Sequence, residues 1–203
     1  MSFQSLEYLI FLPVVFILYW TLCRGSKGLQ NGLIVAASLV FYGWWDWRFL
    51  VLLLLTAFST FLAGMWMGKT DDEKMRKWIN AGTIVLNIGI LFFFKYFNFF
   101  LQSFSDAFSL FGAEVNVHTL KILLPVGISF YTFSALSYSI DVYQRKVEPT
   151  RDLLAYLAYV TFFPSILSGP ISRAQKQLPQ YFKKRIFDYD KAVSACKILL
   201  LGG

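Results

Sequence analysis

The chain has 203 residues, of which 57% are apolar and only 15% charged, against roughly 45–50% and about 25% in ordinary soluble domains. A domain this small cannot hide that excess in its own core, so lipid is the expected solvent, in line with a mean hydropathy of +0.54. The net charge of +7 does not indicate nucleic acid, because the basic residues sit in short links between apolar runs and no repeated aromatic–basic reading surface accompanies them. An anionic cytoplasmic leaflet accounts for them more simply.

The first apolar run, Leu6 to Cys23, lacks the basic n-region and small-residue cleavage pattern of a signal peptide. With Arg24 and Lys27 immediately after it, it reads as a retained transmembrane helix with a basic stop. Leu29 to Trp45 and Phe49 to Met67 form the next two runs, and the short link Asp46–Trp47–Arg48 between them predicts antiparallel neighbours. Gly64 and Gly68 give the third run a GxxxG pattern, which permits close packing. All six tryptophans lie toward the edges of apolar runs, as in the aromatic belts of a polytopic protein.

Thr70 and Glu73 have the spacing of a capping box that would start a fourth helix, with Trp78 to Phe94 as its spanning part. Beyond Lys95, phenylalanines at 97, 100, 104, 108 and 111 recur at spacings of three and four. Such a stripe fits a helix lying in the interface, or a continuation of the fourth helix leaning out of the bilayer. The polar stretch Gly112 to Thr119 contains the single histidine, His118, for which a solvated and idle role is expected.

Pro125 suits the first turn of a fifth helix, running to about Ile140. On it Phe130, Ser134, Ser137 and Asp141 share one face, with Tyr131 and Tyr138 on the adjoining stripe. These groups either bridge helices or line a polar passage. Asp141 and Arg145, four apart, are expected to pair across the helix end.

Counting Lys and Arg link by link, the alternation places the N-terminus outside and Asp141 to Asp152 in the cytoplasm. A straight sixth span over Leu153 to Pro170 would put the basic segment Arg173 to Lys191 outside, against the rule. A re-entrant hairpin broken at Pro164, Gly169 and Pro170 removes the conflict, and the alternative is an ordinary kinked span. Non-helical backbone at membrane depth needs protein or a water-filled cavity to satisfy it, so this segment is a candidate site wall. Asp188 is placed to cap a last helix leading to Leu201. Cys23 and Cys196 have neither CxxC spacing nor metal-ligand companions and are expected to be free thiols; no metal site is expected. No nucleophile, phosphate loop or His–carboxylate pair has a recognisable motif.

Two stretches, LPVGISFYTFSALSYSIDVYQRK and YVTFFPSILSGPISRAQKQLPQ, closely resemble the membrane-bound O-acyltransferase family. SFQSLEYLIFLPVVFILYW and ASLVFYGWWDWRFL are similar to its bacterial branch, typified by the alginate O-acetyltransferase and D-alanyl-transferring relatives. The resemblance implies an all-α polytopic membrane bundle. Of it this single domain, residues 1–203, would be the front part, with five to six spans and a re-entrant segment.

It also implies acyl transfer, acetyl in the first instance, from a thioester donor (acyl-CoA or an acyl carrier protein) to a hydroxyl of an exported polysaccharide or cell-wall polymer. No cofactor would be resident. Membrane lipid and an extracytoplasmic acetyltransferase are the implied partners, and a bacterial-type inner membrane the location.

The family's catalytic histidine belongs to a later segment, and His118 does not occupy its motif, so these residues alone are expected to be inactive. Pro125, Gly127, Phe130 and Tyr131 match the family's LPxGxSFYTF; Asp141 and Tyr143 match DVY; Phe163, Pro164, Gly169, Pro170 and Arg173 match FFPxxxxGPIxR. With Ser134, these are candidates for lining the tunnel, Arg173 either meeting an anionic donor through its forked guanidinium or anchoring at headgroups. A transporter or channel and a non-catalytic membrane scaffold are the rival readings.

Overall fold

Long apolar stretches in this chain become helices because only internal pairing satisfies backbone N–H and C=O groups out of water. A computed structural model describes residues 6–44, 46–109, 127–166 and 173–200. Five long helices come first: α1 (Leu6–Thr21), α2 (Lys27–Gly43), α3 (Trp47–Lys69), α4 (Glu73–Ser109) and α5 (Ile128–Tyr143). Short ones follow: α6 (Leu153–Val160), α7 (Phe163–Ile166), α8 (Ala174–Tyr181) and α9 (Tyr189–Leu200). Among the described residues, α3 and the Glu73–Phe97 part of α4 are long and apolar enough to cross a membrane. Leu9, Ile10, Val51, Leu62 and Val85 are large, apolar and exposed, a surface suited to lipid.

Polar side chains set the helix starts. Ser26 accepts from the Gly28 N–H at 3.1 Å, Asp46 from Arg48 at 2.9 Å, Asp152 from Ala155 at 3.0 Å and Asp188 from Lys191 at 3.1 Å. At α4 the capping box yields to a simpler arrangement: Asp72, directly before the helix, accepts from Lys74 N–H at 2.9 Å, and Thr70 accepts from Asp72. The α4 helix continues unbroken to Ser109, so the phenylalanine stripe as far as Phe108 extends the fourth helix instead of forming a separate one, Phe111 lying outside the described residues. No proline or glycine lies between Ile90 and Ser109 to end it.

The core is built around α3 and α5. Gly64 is needed there, because a Cβ at that position would lie 2.7 Å from Cε1 and from the hydroxyl of Tyr138, and at Gly68 it would lie 2.6 Å from Cγ of Pro149. The GxxxG pattern thus admits a tyrosine ring and a proline ring. Polar bridges lie between the helices: Ser139 donates to Asn80 Oδ1 at 2.9 Å, Asn87 to Ser59 at 3.1 Å, and Thr60 and Tyr156 share a hydrogen bond of 2.6 Å.

Helix α5 ends differently from the expectation. Arg145 takes a left-handed φ of 59°, letting the Lys146 N–H reach back to the Asp141 carbonyl at 2.9 Å. That turn carries the Arg145 side chain off the helix path, and it pairs with Glu73 at 2.6 Å instead of with Asp141.

Candidate functional site

The described part of the Leu153–Pro170 run is broken between α6 and α7, just ahead of Pro164. Its first helix, α6, has eight residues and rises only about 12 Å, well short of the ~30 Å hydrocarbon core. Helix α2 serves as a ruler for where the segment goes. Asp152, at its start, pairs with Lys27 in the first turn of α2 at 3.3 Å. Phe163 N–H donates to Ser38 Oγ at 3.2 Å, eleven residues or about 16 Å further along α2. The Phe163 ring there meets Phe11 and Phe41, with centroids 5.5 and 5.6 Å away. The chain then returns: Asn31 Nδ2 donates to the Tyr181 carbonyl at 2.9 Å, and Gln30 Nε2 to the Arg185 carbonyl at 2.8 Å.

Helix α5 gives the same reading in reverse. Near its start, Ile128 and Tyr131 share a buried cluster with Phe163 and Ile166. Toward its end, Ser137 Oγ accepts from Ala174 N–H at 3.2 Å and the Asp141 carboxylate from Gln175 N–H at 3.3 Å. The first N–H groups of α8 lack partners within their own helix, and the Ser137–Asp141 face supplies them. The described part of Leu153–Tyr181 therefore leaves one end of the bundle, reaches about 16 Å along α2, and is found again at the end it left.

Between the returning arm and α1 lies an apolar slot of about 330 Å³, lined among others by Phe16, Trp20, Phe163, Pro164, Tyr181 and Arg185. Arg185 is its fixed cation. Its backbone N–H donates to Gln30 Oε1 at 2.9 Å and its guanidinium to Asn31 Oδ1 at 2.5 Å. The guanidinium carbon lies 5.6 Å from the Tyr19 ring centroid and 5.3 Å from that of Tyr181, within cation–π range. Nearby, Asp188 has its carboxyl held below the ordinary aspartate range by the Lys191 backbone N–H and ammonium.

The residues singled out from sequence separate by position. Tyr131 is 1% exposed and, with Phe163, belongs to the cluster at the hairpin's deep end; Pro164 lines the slot. Ser134 and Asp141 brace the hairpin, Ser134 through its carbonyl, which accepts from the Tyr159 hydroxyl at 3.0 Å. Gly127 starts α5 with a φ of 77°, a conformation that costs other residues roughly 1–2 kcal/mol, and Phe130 is half-buried on the first turn. Pro125, His118, Gly169 and Pro170 lie outside the described residues.

Arg173 does not line the slot. It is exposed and precedes α8, its carbonyl accepting from Lys176 and Gln177. The slot's arginine is Arg185, which charge counting treats as one cation among many. A usable signal was the Gln30–Asn31 pair inside an apolar run, since two buried carboxamides require fixed polar partners. Among the described residues no group of three or more His, Cys, Asp or Glu could hold a metal. The described slot can bind and orient an amphiphile, and it presents one cation, two carboxamides (Gln177 and Gln180) and two phenols (Tyr19 and Tyr181).

The fold and slot define a membrane helical bundle with a hairpin dipping into it beside an apolar, cation-edged cavity. Over 205 aligned residues covering 100% of the chain, it is 35% identical to "Probable alginate O-acetylase AlgI" of Pseudomonas aeruginosa, spanning 38% of that protein. The Azotobacter vinelandii protein of the same name is also 35% identical, with 100% of the chain and 40% of the relative covered. A "Peptidoglycan O-acetyltransferase" of Helicobacter pylori is 28% identical over 86% of the chain and 37% of the relative. These similarities bear out the resemblance to the membrane-bound O-acyltransferase family, and the chain spans about two-fifths of the length of these relatives. No family model matches it, and no solved structure does.

Proposed function

We propose that the chain forms the donor side of an O-acyltransferase, which moves an acyl group, acetyl in the first instance, from a thioester donor to a hydroxyl of an exported polysaccharide or cell-wall polymer. The names of the relatives support the reaction class. The observation that carries the donor-side assignment is the hairpin, which borders the slot and whose described ends both lie at the basic end of the bundle. By the positive-inside rule that end is cytoplasmic, where thioester donors are available. The proposal therefore includes a multi-pass inner-membrane location with the N-terminus outside. Arg185, held rigidly at the slot edge, takes the role of meeting donor phosphates that sequence reasoning gave to Arg173. The histidine acting as general base on the acceptor is expected from a segment beyond those present here, and an extracytoplasmic acetyltransferase remains a fitting partner.

The test is acyl transfer in membranes by the protein carrying this chain, with the thioester donor titrated. Filling the slot by Gln177→Trp should raise the donor concentration for half-maximal transfer by about tenfold, the scale of one bulky group misfitted in a binding pocket. Arg173→Ala should leave it within about twofold, as expected of an exposed side chain outside the slot. An unchanged donor requirement in Gln177→Trp would remove the slot from the donor's path.

A further inference from the structure

Beside the slot, and sharing Phe16, Trp20 and Arg185 with it, a second cavity of about 550 Å³ opens between the end of α1 and residues 184–187. Its cations are Arg24, Lys184 and Arg185, and no carboxylate lines it among the described residues. Arg24 and Lys184 are exposed and have no carboxylate partner among the described ion pairs. At the same end of the bundle Lys27 is paired with Asp152 and Arg145 with Glu73. Arg185 is engaged inside the fold by Gln30 and Asn31, which leaves Arg24 and Lys184 as the cavity's two cations free to meet an anion.

The rest of the cavity is aromatic. Trp20 and Phe187 meet with centroids 5.1 Å apart, and Phe16 lies 6.3 Å from each. Trp20 stands at the end of an apolar run, the depth at which tryptophan sits among headgroups. Phe16, Trp20 and, just past the end of α1, Arg24 follow one another at four-residue spacing, which orders rings and cation as a phospholipid orders acyl chain and phosphate. The volume is within the ~300–1,000 Å³ of small-molecule sites.

The geometry points to a binding site for an anionic phospholipid. Its phosphate is received by Arg24 and Lys184, Arg185 staying with the slot, and the upper part of one acyl chain lies against Phe16, Trp20 and Phe187. The site is separate from the transfer reaction, although the phosphate chemistry alone would also suit a phosphate-bearing thioester donor, so the test must tell the two apart.

The experiment uses the protein in neutral detergent with equimolar phosphatidylglycerol and phosphatidylcholine of identical chains, bound lipid being counted by native mass spectrometry. Phosphatidylglycerol should be retained about tenfold over phosphatidylcholine, as an electrostatic headgroup contribution of this size allows. Arg24→Gln/Lys184→Gln, which leaves Arg185 and its partners intact, should bring the ratio to near parity. The exchange Arg24→Lys/Lys184→Arg should preserve it, as should the distant Lys69→Gln/Lys74→Gln. Equal retention of both lipids by the unaltered protein would overturn the site, and so would undiminished preference in the double glutamine variant or equal loss in the distant control. Complete displacement of phosphatidylglycerol by soluble coenzyme A would overturn the lipid and assign the cations to the donor.

Discussion

Arg76 is 6% exposed and has no carboxylate partner among the described residues. Its guanidinium donates to the Met67 carbonyl near the end of α3, and to the Val142 and Tyr143 carbonyls at the end of α5, at 2.8 and 3.3 Å. Helix C-termini carry unpaired carbonyls and partial negative charge, so one forked cation closes two helices at once. Arg76→Met should lower stability by about 2–4 kcal/mol, the scale for losing charged hydrogen bonds and leaving buried acceptors bare, read as a fall in melting temperature in detergent. Arg76→Lys should recover only part of that, because an ammonium cannot fork between the two ends. Gly64 is as sharply determined: Gly64→Ala drives a Cβ into Tyr138 and should cost about 1–3 kcal/mol by overpacking, while leaving helix content by circular dichroism unchanged. At this scale the guidance legible in the sequence was partial. GxxxG marked the close approach, but Arg76 looked like one of four cations in a solvated loop, since only the fold brings the ends of α3 and α5 to it.

Among the elements, the hairpin depends most on partners distant in sequence. Its deep end is fixed by Ser38 and the Phe11–Phe41–Phe163 rings, and its return by Gln30, Asn31, Ser137 and Asp141. Asn31→Ala would release the Tyr181 carbonyl and one side of Arg185. Trypsin cleavage after Lys183, Lys184 or Arg185 should then accelerate about tenfold, the factor for roughly 1.4 kcal/mol of lost local stability; an unchanged rate would show that Asn31 does not hold the segment. The break in Leu153–Pro170 was legible because Pro164 cannot continue a regular helix. The Ser134–Asp141 stripe was legible as a polar face, and its bridging reading agrees with the contacts made by Ser137 and Asp141. Arg185 was not legible, because a cation's partners depend on which buried amides the chain folds against it.

For the whole molecule, sequence periodicity located the long helices well, within a few residues at most ends, because apolar length and polar caps are local properties. It misjudged the end of α5, where Arg145 itself turns left-handed, and left open a separate interfacial helix where α4 runs on. The links assigned to the cytoplasmic side are brought together by Lys27–Asp152, Arg145–Glu73 and the approach of Gly68 to Pro149. That agreement between charge counting and contacts underlies the central claim, that Leu153–Tyr181 enters and leaves the membrane on one side. The direct measurement is labelling of single cysteines by an impermeant thiol reagent in sealed vesicles of known orientation, with Cys23→Ala and Cys196→Ala as background. Arg151→Cys and Lys183→Cys, both at exposed positions, should label from the cytoplasmic face and be protected from the other. Labelling of the two from opposite faces would contradict the hairpin and make the segment a true span.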